Sequence, residues 1–318
     1  VRAAALDAPA QAQPWLIDHL WTHQAVGVIG GSPKAGKTWL ALEMAVAVAS
    51  GTPCLGAFAV HGTGPVLLYA AEDATAALRS RLETLAAVHQ VAFDQLDVRV
   101  ITADTLRLDR PDHQARLHAT LRAHRPALLV LDPLVRVHAI DENVAGQVAA
   151  LLAYLRTLQR TTGTAIALVH HVRKNLPPAT AAGYGLRGSS DLYAWLDSFL
   201  ALRKHHDQLT LAAEHRSAPA FGPLRLTLTL ADGVGPHLQL VTREQPIPMP
   251  RTETLADRIL TVVRSAPDPL TLDTLRARLQ VRNQRVVEAL RHLVAAGKVR
   301  RLDHGYTAVS DPPLPIPS

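Results

Sequence analysis

The sequence predicts an α/β protein: a mostly parallel sheet with an antiparallel extension, followed by a small second domain. Three observations carry this. Apolar β-like runs around 26–31, 65–71, 127–132 and 164–170 alternate with helical patterns at about 39–50, 74–88, 113–124 and 144–162. That spacing suits parallel strands whose connecting helices cover both faces. After Gly188 the pattern changes to short runs at 198–203, 208–214, 224–231 and 237–242, with Gly and Pro turns between them. These read as antiparallel strands added to the sheet. Finally, TREQPIPMPR at 242–251 is a proline-rich linker, and a compact unit of three helical segments and two β-runs follows it.

The resulting division is a large domain over 1–242, a linker over 243–252, a small domain over 253–310 and a proline-rich tail over 311–318. Within the first, residues 1–24 are an Ala/Pro/Gln-rich arm ending in the semi-apolar strap PWLIDHLW. The strap packs on the core or docks on a neighbouring subunit.

Composition narrows the class. Across 318 residues, 48% are hydrophobic and only 19% charged, so a sizeable core forms and wholesale disorder is excluded. The net charge of +6 permits a polyanionic partner. A lone cysteine, Cys54, excludes an internal disulfide and a cysteine-based zinc cluster. It suits a reducing cytoplasm. No apolar run approaches a membrane span, so a cytoplasmic protein without a membrane partner is expected.

The stretch VGVIGGSPKAGKT at 26–38 organises the chain. Gly31, Gly36, Lys37 and Thr38 fit G-x-x-x-x-G-K-[ST], a loop whose backbone N–H groups cradle phosphates. Lys37 reaches the terminal phosphates and the Thr38 hydroxyl ligates Mg²⁺. The expected nucleotide contacts are Gly31, Ser32, Lys34, Ala35, Gly36, Lys37, Thr38 and Trp39, with the helix dipole facing the anion.

Nucleotide hydrolysis needs a second carboxylate on the metal and a base for the attacking water. The run ALLVLD ends in Asp132, the metal-side acid, and Pro133 follows it with no Glu beside it. The base must then come from another strand. LLYAAED supplies Glu72 and Asp73 at a strand's C-terminal edge, where open α/β sheets bind ligands. Glu72 is the expected base and Asp73 the cap of the next helix. The last parallel strand ends in His170–His171, which contacts the γ-phosphate or, on another reading, ligates metal. The loop 173–188 is long and basic at both ends, and suits a nucleic-acid contact.

With these residues in view, the ordered set GGSPKAGKT, LLYAAED, LLVLDPL, ALVHH and LRGSSDLYAWLDSFLAL resembles the RecA-fold P-loop ATPases. It is most similar to the plasmid-type hexameric replicative helicases called RepA, and more distantly to the DnaB-type motor. The resemblance covers about 10–245. It implies a homohexameric ring with ATP and Mg²⁺ at each interface and single-stranded DNA in a central channel. It also implies Lys37, Thr38 and Asp132 around phosphate and metal, Glu72 activating water, and His171 sensing the γ-phosphate. Where the RepA type has an arginine finger, this chain has Asp197. Arg216 resembles the DnaB-type finger segment, and Arg187, opening R-G-S-S, is its rival.

The unit at 253–310 looks like a winged helix. Arg282, Asn283, Gln284 and Arg285 open its third helix, the end that faces base edges in helix-turn-helix proteins. Lys298, Arg300 and Arg301 lie on the wing. Docking of a protein is the other use of such a module. Together these features predict a DNA-dependent ATPase or helicase, with Arg136, Arg173 and Lys174 touching the strand and a primase or initiator as partner. The competing reading is an ATP-regulated DNA-binding replication or partition regulator that unwinds nothing.

Overall fold

The computed structural model describes residues 15–142, 144–171, 190–205, 208–231, 235–241, 255–266, 268–279, 283–302 and 304–308. The chain divides into two compact units, Val1–Gln245 and Pro246–Ser318.

In the first unit, β1 (Trp15–Ile17) and β2 (Trp21–Thr22) form a small antiparallel pair. There follow β3 (Val26–Gly31), α1 (Lys37–Ser50), β4 (Val66–Ala70), α2 (Thr75–Val88), β5 (Val98–Val100), α3 (Pro111–His124) and β6 (Leu128–Asp132). Then come α4 (Ala145–Thr162), β7 (Ala165–His171), α5 (Ser190–Trp195), β8 (Ser198–His205), β9 (Gln208–His215), β10 (Phe221–Ala231) and β11 (Gly235–Leu240). The nine-stranded sheet runs β11-β10-β9-β8-β3-β7-β6-β4-β5. Strands β8 through β5 in that order are mutually parallel, and β9, β10 and β11 extend the β8 edge antiparallel.

The central strands are apolar throughout because both faces are covered. On β6, Leu128 and Val130 join one core with α1 and α2, while Leu129 and Leu131 join the other with α3 and α4. On β7 the same alternation puts Ala167 and Val169 on one side and Ile166 and Leu168 on the other. Helix α1 is buried from Leu40 to Val48, apolar on every side but for Glu43, which pairs with His89 and accepts the Leu55 N–H, as suits a helix enclosed by protein. It stops at Gly51, which takes φ 75° and returns its N–H to Ala47.

The strap packs on its own chain. Leu16, Ile17, Leu20 and Trp21 are buried in the core that holds α1, and the Thr22 N–H donates to Ser198 Oγ at 3.1 Å. Trp21 lies against Gly27 near the start of β3. A Cβ there would sit 2.1 Å from the Ser198 carbonyl and 2.7 Å from the indole. Gly27→Ala is therefore expected to cost roughly 3 kcal/mol or more, read as a lowered urea midpoint. An unchanged midpoint would mean that neither β8 nor the strap lies this close to Gly27.

Four short elements escape the sequence pattern. Strands β1 and β2 have three and two residues, β5 at one edge of the sheet has three, and α5 has six. None is long enough to display a period. Among the described residues no helix is long and apolar enough to cross a membrane.

The second unit contains α6 (Leu255–Arg264), α7 (Leu272–Leu279), α8 (Asn283–Ala295) and the hairpin of β12 (Val299–Leu302) and β13 (Gly305–Ala308). Ile259, Val263, Leu275, Val286, Leu290 and Val299 make its core. Leu270 pairs with Tyr306 through two backbone hydrogen bonds of 2.9 Å, adding a third β position beside the hairpin.

Candidate active site

The phosphate loop leaves the sheet between β3 and α1. Gly31 is required by packing, because a Cβ would lie 2.6 Å from the Leu202 carbonyl of β8. Gly36, at φ 85°, is the N-cap of α1 and makes no side-chain cap. The first turn of α1 holds no acid, so its N–H groups and dipole end suit an anion. Lys37 is 6% exposed. Its Nζ donates to the Ser32 carbonyl at 2.9 Å and lies 3.3 Å from His171 Nδ1. Burial lowers its pKa, against the pull of Asp132 and Glu72. The ammonium is folded back on its own loop, next to the end of β7.

The acids come from neighbouring strands, since Ala70 of β4 registers with Asp132 of β6. Asp132 is 7% exposed and accepts a hydrogen bond from the Thr38 hydroxyl. Burial pushes its pKa up to about 6, helped by Asp73 and Glu72 and opposed by Thr38 and Lys37. Glu72 follows β4 and is exposed, with its Oε1 accepting from Arg136 Nε at 2.8 Å. Asp73 is not the cap the sequence leads one to expect. Ala74 occupies the N-cap of α2 without a side-chain bond, and Asp73 pairs instead with Arg81 at 2.7 Å. Arg81 in turn lies over the Trp39 ring, 5.3 Å from its centroid.

These groups surround one cavity of about 510 Å³ at the C-terminal edge of the parallel strands. Lys34 to Trp39, Glu72, Asp73, Asp132 and His171 line it. Lys204 at the end of β8 and the antiparallel extension, with Leu209, Leu226, Leu228 and Leu238, close another side, a wall that the sequence motifs do not mark. Its only sequence signal is the leucine alternation in β10.

The donor set fits Mg²⁺. Thr38 and Asp132 supply two hard oxygen ligands in mutual contact, and Mg²⁺ is ordinarily held by one or two such groups together with phosphate and water. Among the described residues no cluster of three or more His, Cys, Asp or Glu could hold a metal unaided, and His170–His171 belong to none.

The remaining sequence candidates lie elsewhere. Arg216 follows β9 at the opposite, N-terminal edge of the parallel strands. Its guanidinium donates to the Leu196 carbonyl at 3.2 Å and pairs with Asp197 at 3.3 Å. Asp197 also binds Arg156 at 2.5 Å and accepts the Val26 N–H at 3.1 Å. The residue standing where the RepA type has its finger is thus the hub of a polar cluster beneath β3. In the second unit Asn283, Gln284 and Arg285 form the first turn of α8, and Lys298, Arg300 and Arg301 are exposed at the hairpin. Arg173, Lys174, Arg187 and Arg282 lie outside the described residues, as do the linker and the tail.

The fold resembles a solved structure, the crystal structure of the RadB recombinase, at a TM-score of 0.50 and 18% identity over 69% of this chain and 92% of that one. At that identity the likeness speaks for the fold alone, an α/β core of the RecA-like kind. A family model described as an AAA domain matches residues 1–176, which span the phosphate loop, both acids and the His pair. With more than half its length so matched, the chain belongs to the AAA domain family.

Proposed function

We propose that this protein is an ATP-hydrolysing, DNA-dependent ring motor of the RepA helicase type, working on single-stranded DNA and carrying a winged-helix DNA-binding module. The observation that supports it most is the convergence of Lys37, Thr38, Glu72, Asp132 and His171 on one cavity at the sheet's C-terminal edge.

In this reading the triphosphate lies along the α1 N-terminus, and Lys37 leaves the Ser32 carbonyl for its terminal oxygens. Glu72 takes a proton from water as the water oxygen bonds to the γ-phosphorus. The bond from that phosphorus to the β–γ bridging oxygen breaks, and ADP departs with its electron pair. Thr38 and Asp132 would hold Mg²⁺, which when bound would neutralise charge on the phosphates. His171, within reach of Lys37, registers whether the γ-phosphate is present and passes this to the following loop with Arg173 and Lys174. A positive group from a neighbouring copy completes the site, Arg216 or Arg187. The second unit, with three helices and a basic hairpin, binds duplex DNA as a winged helix, and a primase or initiator is its functional neighbour.

One observation favours the second reading, an ATP-regulated DNA-binding regulator without unwinding. Arg216 is already tied to Asp197 and the Leu196 carbonyl of its own chain. ATP turnover, strand displacement and native mass, each with and without a single-stranded oligonucleotide, separate the two. The motor should form a hexamer, turn over faster with DNA, and displace a labelled strand. With aromatics at only 4% of the chain, its strand contacts are chiefly to phosphate. Affinity should therefore fall by orders of magnitude between low and physiological salt. A solitary chain whose turnover ignores DNA would end the motor reading.

A further inference from the structure

We infer that Arg136 restrains hydrolysis by holding Glu72, and that nucleic-acid phosphate releases the restraint by taking the arginine. The inference rests on the motor reading and adds to it a physical link between strand and chemistry.

Glu72 lines the nucleotide cavity, but one of its carboxylate oxygens is engaged from outside it. Arg136 Nε donates to Glu72 Oε1 at 2.8 Å, joining the end of β4 to the turn after β6, and Arg136 is not part of the cavity wall. A carboxylate that must accept a proton from water here accepts a hydrogen bond from a guanidinium. The contact occupies one of the two carboxylate oxygens and holds the group's orientation, so hydrolysis runs faster once it is broken or reoriented.

The backbone beneath Arg136 is pinned, so the side chain is the part able to move. Leu108 N–H donates to the Val137 carbonyl at 2.6 Å. Arg107 Nη1 donates to the carbonyls of Arg136 at 3.0 Å and His138 at 2.8 Å. Asp109 Oδ1 accepts the Ala139 N–H at 3.2 Å. Above this platform both partners face solvent, with side chains 60% exposed for Arg136 and 52% for Glu72. Val135 beside them is 44% exposed, one of the few large apolar side chains left open among the described residues.

An exposed ion pair of this kind is weak and is exchanged readily for a better anion. A phosphodiester offers a guanidinium two parallel hydrogen bonds, and a polyanion adds the gain from counterion release. A strand lying on this turn therefore draws Arg136 off Glu72 and leaves the carboxylate for water. Arg136 acts through Glu72, as a positioning residue.

The test is single-turnover hydrolysis, enzyme in excess over Mg-ATP, for the parent, Arg136→Gln and Arg136→Lys at matched native mass, with and without a mixed-sequence single-stranded oligonucleotide. Without DNA, Arg136→Gln should hydrolyse about twofold to fivefold faster than the parent, the share an exposed pair can withhold. Arg136→Lys should fall between them, and ATP affinity should not change. The oligonucleotide should accelerate the parent and leave Arg136→Gln where it was. An Arg136→Gln rate equal to or below that of the parent without DNA overturns the restraint. If the parent is then still stimulated by DNA, the motor reading survives alone. A faster Arg136→Gln beside a parent indifferent to DNA supports the restraint and refutes the nucleic-acid trigger.

Discussion

Glu72→Gln should lose ATP hydrolysis by about 10²–10⁴-fold while still binding Mg-ATP as the parent does. The two halves of this result have separate physical origins. Binding comes from the loop N–H groups, from Lys37 at 6% exposure and from the α1 N-terminus, none of which Glu72 touches. Chemistry needs a group that accepts the water proton, and an amide cannot. The substitution keeps shape and still offers an acceptor to Arg136 Nε, so the turn after β6 should stay in place and the fold with it. Lys37→Ala is the contrasting variant, losing binding and turnover together. The measurements are ATP affinity by calorimetry and phosphate release in a single turnover. Glu72→Gln turnover within about tenfold of the parent would move the base elsewhere. The nearest rival on the cavity wall is Asp73, which is committed to Arg81 at 2.7 Å.

Much of this site is legible in the sequence, for a reason visible in the fold. The phosphate loop is written in backbone geometry: Gly31 because Leu202 lies too close for a side chain, Gly36 because α1 starts from φ 85°. Such demands leave few residue choices, so a motif survives. Strands β3, β6 and β7 announce themselves because both faces are buried and the run is unbroken. Partners are a different matter. Glu72 meets Arg136 across 64 positions, and Asp73 reaches past Ala74 to Arg81 instead of capping the helix it precedes. Asp197 gathers Arg156 and Arg216 from two other elements. Which charge finds which depends on strand order, and strand order is not a local property. The leucine wall from β9, β10 and β11 is hidden for the same reason, since those strands reach the phosphate loop only because β8 pairs with β3.

Asp132→Asn should lower turnover by about 100-fold and at the same time make the nucleotide-free protein more stable above pH 6. The turnover loss follows from removing an anionic oxygen from the Mg²⁺ site. The stability gain follows from the cost of ionising a carboxyl that is 7% exposed. Burial raises its pKa from 3.8 to about 6. Below 3.8 the group is protonated whether the chain is folded or not, and contributes nothing. Between 3.8 and 6 the unfolded chain ionises first, so stability falls as pH rises through this window. Above it the folded chain carries the full difference, about two units or ~3 kcal/mol. Asparagine avoids that cost and keeps an acceptor for the Thr38 hydroxyl, but it removes the anion nearest Lys37. The net gain at pH 8 should therefore be smaller, ~1–2 kcal/mol. Denaturation midpoints with EDTA and no nucleotide, taken at pH 8 and pH 5, give the comparison. The advantage of Asp132→Asn should be largest at pH 8 and shrink at pH 5, and adding Mg-ATP should reverse it by stabilising only the parent strongly. A variant less stable than the parent at pH 8 would mean that Lys37 and Thr38 already compensate the buried charge before any metal arrives, and that the acid is an ordinary ion-pair partner, not a ligand held in readiness.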